Sequence, residues 1–158
     1  MTVLTMLCAL GAAAAGGALF TFSDFTMAGL KRLPPAGGIA AMQAINRAAP
    51  SPLFMLMLFG TGAACLALMV ISGRHPAEPG AVLRLVAGGL YLAGVVAITM
   101  GYHVPRNDRL DRVDPGSGEG AEVWAIYQRE WIPMKHVRTL APLVSAVLLM
   151  IALTQPAG

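Results

Sequence analysis

The sequence predicts an all-α fold: an integral membrane four-helix bundle, with short amphipathic interfacial helices in its first and third connections. Three observations carry this. The 158-residue chain is 56% hydrophobic and only 12% charged, where a soluble domain carries about 25% charged residues, and its mean hydropathy is +0.66. Four apolar runs approach or reach the ~20 residues that cross a bilayer as a helix. Nothing alternates with the period of two that strands require. A chain this short and this apolar reads as a single membrane domain over residues 1–158.

The first span, about residues 3–25, holds no charge before Asp24. Its start, MTVLTMLCAL, lacks the basic flank of a secretory signal, so this helix is expected to be retained. The second, LFMLMLFGTGAACLALMVIS, covers about residues 53–72, and Pro50 and Pro52 before it suit a helix start. The third covers about residues 81–102, with Arg84 near enough to its end to reach outward to water. The fourth covers about residues 133–154. Its uncharged core, TLAPLVSAVLLMIALT, is short, which sets Lys135, His136 and Arg138 in its first turns at the interface. Pro142 has no amide hydrogen, so it is expected to kink this helix and free the carbonyl of Arg138. Small residues are dense, in GAAAAGG from Gly11 to Gly17 and at Gly60, Gly62, Gly88, Gly89 and Gly94. They let helices approach closely where lipid gives no hydrophobic drive to pair them.

The connections are not plain linkers. In the first, GGIAAMQAINRAAP sets Ile39, Met42 and Ile45 on one helical stripe and Gln43, Asn46 and Arg47 on another. In the third, DRLDRVDPGSGEG contains a turn signal. The following EVWAIYQREW aligns Val123, Trp124, Tyr127 and Trp131 on one stripe. That pattern predicts a helix lying on the membrane surface with its aromatics at headgroup depth. Basic residues set the orientation. Lys31, Arg32 and Arg47 in the first connection join Arg106, Arg109, Arg112, Arg129, Lys135 and Arg138 in the third, against Arg74 and Arg84 on the other side. This bias puts the first and third connections in the cytoplasm and both termini outside it.

Several chemistries are excluded. There is no zinc-ligand spacing, phosphate-binding glycine loop or nucleophile elbow. Cys8 and Cys65 lie in different spans without a CxxC pair and read as buried thiols. The net charge of +3 reflects membrane topology, so no nucleic-acid partner is implied. No span carries mid-depth charges of the kind that line an ion pathway.

What remains is a set of polar groups converging on one membrane face. Asp24 ends the first span, and Gln43 and Asn46 lie in the short helix. His103, Arg106, Asn107 and Asp108 leave the third span, while His136 and Arg138 begin the fourth. Each alone reads as a helix end, an ion pair or a lipid anchor. As a cluster they indicate a site, because ionisable groups at membrane depth are costly.

FTFSDFTMAGL, GIAAMQAINRA, VPRND and KHVRT, in this order and at these spacings, resemble the anthrone oxygenase-like membrane proteins, from about Gly16 to Leu149. The resemblance, which is to the bacterial branch, implies a four-helix membrane fold, and a bacterial cytoplasmic membrane is the expected location. From the fungal members it implies oxidation of a polycyclic anthrone to a quinone by molecular oxygen, with no firmly established cofactor. His136 and Arg138 match the family's His-Val-Arg-Thr, Asn107 its Pro-x-Asn, and Gln43 and Asn46 its Met-Gln-x-Ile-Asn. The chain departs from the pattern where His103 replaces an expected asparagine and Met134-Lys135 an expected tryptophan-asparagine. Asp24 stands at a usually uncharged position.

Two mechanisms fit these groups. Without a cofactor, His136 removes a proton beside the substrate carbonyl, while Arg138, Arg106 or Asn107 stabilises the enolate oxygen. Gln43, Asn46 and Trp131 then bind the flat apolar substrate. With a single iron-type metal ion, Asp24, His103 and His136 form a two-histidine, one-carboxylate ligand set. The opposing reading is a non-catalytic small subunit, an assembly or lipid-binding component of a larger membrane complex, or a homo-oligomer. Its interfacial arginines would hold lipid or a neighbour.

Overall fold

The computed structural model describes residues 1–156. It contains four helices long and apolar enough to cross a membrane and one shorter helix. We label them α1 (Thr2–Leu30), α2 (Pro35–Ala48), α3 (Pro52–Arg74), α4 (Ala81–Asp111) and α5 (Gly118–Leu153). Among the described residues there is no strand. The starts follow local chemistry. Pro35 and Pro52 occupy first helical positions, where a missing amide hydrogen costs nothing. Ser51 and Ser117 cap α3 and α5 by accepting from the amides of Phe54 and Gly120. The turn before α5 closes as expected of DPG, with Asp114 Oδ1 accepting from Gly116 N at 3.0 Å.

Helix α1 packs on α5 and α3, and α4 packs on the same two partners. Small residues make this possible. A Cβ on Gly94 would collide with the Ala141 methyl, and one on Gly16 would lie 2.6 Å from the Leu143 side chain. The resulting core joins Cys8, Ala12, Leu19, Leu58, Cys65, Leu68, Tyr91 and Leu149. Its outer face is apolar as well: Val3, Leu10, Leu53, Leu56, Val82 and Leu140 are exposed. That is what a lipid environment requires of a surface.

A second core sits beyond the first, at the end of the helices that carries most of the basic residues. Met27 and Leu30 of α1, Ile39 and Met42 of α2 and Leu110 of α4 enclose Val123, Trp124, Tyr127 and Trp131 of α5. Here the structure corrects the sequence reading. EVWAIYQREW is helical, but it is the first part of α5, a 36-residue helix with no break before the fourth span. Its aromatic stripe is covered by protein instead of facing headgroups. At 1.5 Å per residue α5 is about 54 Å long, well beyond a ~30 Å hydrocarbon layer. Its excess length carries the second core. Arg84 also differs from expectation. Rather than extending to water it is buried, donating to Ser72 Oγ, the Pro79 carbonyl and Glu78 at 3.0–3.2 Å.

Candidate functional site

Between the two cores lies a cavity of about 540 Å³, within the size range of small-molecule sites. Its walls touch both cores, through Leu19 and Leu58 of the first and Met42 and Trp131 of the second. Three helices wind into π-turns around it, a local widening often found at functional sites. Phe22 lies in the π-turn of α1, Leu58 and Phe59 in that of α3, and Thr99 and Met100 in one of α4; all five line the cavity. The lining is mostly apolar and aromatic.

Set into these walls are buried polar atoms that have no hydrogen-bond partner. Among the described residues they are Asn46 Nδ2, Thr99 Oγ1, Trp131 Nε1 and Arg138 Nε, with Asp111 Oδ1 as a fifth that has only its ion pair with Arg47. An unsatisfied buried polar group costs about 1–3 kcal/mol, so the four that lack an ion pair as well are unusual on one cavity of a folded chain. Three of the four are N–H donors, and one belongs to a guanidinium. Arg138 makes no ion pair among the described residues; its guanidinium carbon lies 5.5 Å from the Trp131 ring centre. Asn107 also lines the cavity, its Oδ1 accepting from Tyr127 OH at 2.8 Å. That bond fixes the amide and leaves its NH₂ end as a further donor. Asn46, Trp131 and Arg138, on α2 and α5, offer free donors, whereas the carboxylates of the lining, Asp108 and Asp111, stand on α4; the donors suit an oxygen atom that carries or gains negative charge.

The residues named from sequence divide clearly. Asn46, Asn107, Trp131 and Arg138 line the cavity. Gln43 is buried, but its amide donates to the carbonyls of Leu110 and Val113 at 2.9 and 3.0 Å. It ties α2 to the end of α4 and does not line the cavity. Arg106 is also committed elsewhere, donating to Glu130 at 2.8 Å and lying 3.5 Å over the Tyr102 ring.

His136, expected to be the base, is exposed on α5 and does not line the cavity. The reason is helical phase: two residues along a helix turn the side chain by about 200°. With Arg138 facing inward, His136 must face outward. Asp24 is exposed on α1, while His103 is fully buried behind the cavity wall. The His103 ring stands edge-on to Trp131 at 4.8 Å, and neither of its nitrogens has a partner. Asp24, His103 and His136 are therefore not a metal-ligand set. Among the described residues no three His, Cys, Asp or Glu side chains come together.

Sequence reasoning missed Thr99 and the phenylalanines of α3, and it left Asp108 and Asp111 without a role. A signal for part of this was present: Met100, Val104, Asn107, Asp108 and Asp111 recur at three- and four-residue intervals, which marks one helix face. These five all line the cavity.

The sequence model of the anthrone oxygenase family matches residues 53–148. This stretch runs from α3 through most of α5 and includes Thr99, Asn107, Trp131 and Arg138. No curated protein and no solved structure matches the chain. With more than half of its length matched, including most of the polar wall of the cavity, the chain belongs to the anthrone oxygenase family.

Proposed function

We propose that the protein is a membrane-embedded oxygenase that oxidises a flat, hydrophobic aromatic ketone or phenol with molecular oxygen. The observation that carries this is the set of unpartnered donors, Arg138 foremost, facing a cavity lined mostly by apolar and aromatic side chains. A polycyclic substrate fits such walls, and its carbonyl oxygen supplies the acceptor that the donors lack. When a proton leaves the carbon activated by that carbonyl, charge develops on the oxygen. Arg138, Trp131 Nε1 and Asn46 then stabilise it more strongly than they do the neutral ketone, which is the condition for catalysis.

For an anthrone-type substrate the overall change balances. The methylene carbon becomes a carbonyl with one atom of O₂, and the other atom leaves as water with the two methylene hydrogens. Four electrons pass from carbon to oxygen. In this reading the substrate arrives from the bilayer, and the cavity lies toward the cytoplasmic leaflet of a bacterial inner membrane, because the basic residues gather at that end. A purely structural subunit would leave the unpartnered donors without an occupant.

Oxygen uptake and quinone absorbance, followed with anthrone and detergent-purified protein, test the reading. Arg138→Gln keeps the length and polarity of the side chain but removes its charge. Turnover is expected to fall about a hundredfold, the scale of losing one oxyanion donor. Wild-type protein that never accelerates oxidation above the buffer rate would overturn the proposal.

A further inference from the structure

The proposed oxidation needs a proton acceptor, and with His136 facing outward the cavity must supply another. We infer that Asp108 is that acceptor; the inference rests on the oxygenase reading above. Among the described residues, the charged side chains lining the cavity are Arg47, Asp108, Asp111 and Arg138, and the lining includes no histidine, cysteine, lysine, tyrosine or glutamate. Two of the four are committed to each other. Arg47 meets Asp111 at 3.0 Å, joining α2 to α4 across the rim. Arg138 is a cation and serves the oxygen. Asp108 is left, and among the described residues its side chain takes part in no hydrogen bond or ion pair.

Its position suits the task. Asp108 follows Asn107 on α4 and lies one turn from Val104 and from Asp111, both of which line the cavity. It is exposed, so a proton taken from substrate can pass directly to water. The acceptor and the oxyanion donors stand on different helices, α4 against α5 and α2. This division matches the substrate, whose acidic carbon and carbonyl oxygen lie on different edges of the ring system.

A carboxylate is a sufficient base when the enolate oxygen is held by strong donors. Ketosteroid isomerase uses this pairing of an aspartate with an oxyanion hole. In the step itself the C–H bond breaks, and its electron pair delocalises through the ring onto the oxygen beside Arg138. The proton forms an O–H bond with Asp108, and water then carries it off.

Proton removal can be read separately from oxidation. In deuterated buffer without oxygen, wild-type protein is expected to speed deuterium exchange into the methylene of anthrone above the buffer rate, as followed by NMR. Asp108→Asn should slow the enzymatic part about a hundredfold or more, and Asp108→Glu should restore part of it. Quenching of tryptophan fluorescence by 9,10-anthraquinone should give the same affinity for wild type and Asp108→Asn, showing an intact cavity. His136→Ala should exchange like wild type.

Full exchange in Asp108→Asn, or its loss in His136→Ala, would overturn the assignment while leaving the oxygenase reading in place. Wild-type protein that neither exchanges deuterium nor consumes oxygen would remove both.

Discussion

Gln43 and Arg138 show how one kind of residue, a polar side chain at the edge of an apolar span, takes opposite roles. Both are buried; Arg138 lies within the stretch that the family model matches, and Gln43 lies outside it. The Gln43 amide is saturated by two carbonyls at the end of α4, where a helix has no internal donors left to offer. Arg138 keeps an N–H free. Gln43 therefore belongs to the frame and Arg138 to the cavity. Gln43→Ala leaves two buried carbonyls without their donor and is expected to cost about 1–3 kcal/mol. The readout is a lower midpoint of thermal unfolding in detergent. An unchanged midpoint would mean that water replaces the amide. Sequence identified both residues as candidates but not their partners, because whether a side chain is satisfied depends on a helix 67 positions away.

At the scale of elements, the phase of α5 decides the site. Trp124, Trp131 and Arg138 recur every seven residues, and Tyr127 joins the same face. Extending the aromatic stripe by one heptad would have placed Arg138 inward and His136 outward from sequence alone. Reading the fourth span as a separate helix hid that continuity, since Pro133 resembles a helix start; in the structure both Pro133 and Pro142 lie inside α5. The π-turns are different. No residue pattern announces them, yet Phe22, Leu58, Phe59, Thr99 and Met100 reach the cavity from these wider turns.

Contact between α4 and α5 depends on Gly94, whose missing side chain admits Ala141. Gly94→Leu should force these helices apart and destabilise the protein by about 3 kcal/mol. Ala93→Leu, one residue away on the exposed face, should have little effect. Equal unfolding midpoints for the two variants would show that the helices do not depend on this close approach.

For the whole molecule, the two cores explain why the cavity exists at all. Helices α1, α3, α4 and α5 close on one another through alanine and glycine, whereas the extension of α5 closes on α2 through tryptophan and tyrosine. The change from small to large side chains between these layers leaves a space that neither packing fills. Orientation belongs to this scale too. A fluorescent reporter active only in the cytoplasm is expected to light up when inserted in the turn between Asp114 and Gly118 and to stay dark when fused to the C-terminus. The basic residues of the first and third connections underlie this expectation. A bright C-terminal fusion would invert the topology and put the cavity mouth on the opposite face.

Composition and run length by themselves determined the helical class and the four apolar helices, because long uncharged apolar runs have few other stable arrangements. Motif order pointed to the family, and residue type marked Asn46, Asn107, Trp131 and Arg138 as candidates, all four of which line the cavity. Only the tertiary structure decided that Gln43 and Arg106 are bound elsewhere, that His136 faces away, and that Asp24, His103 and His136 do not converge. Those outcomes depend on helix rotation and on contacts between distant segments. A rotation of about 100° per residue separates a cavity wall from a lipid face without any change in the types of residue present.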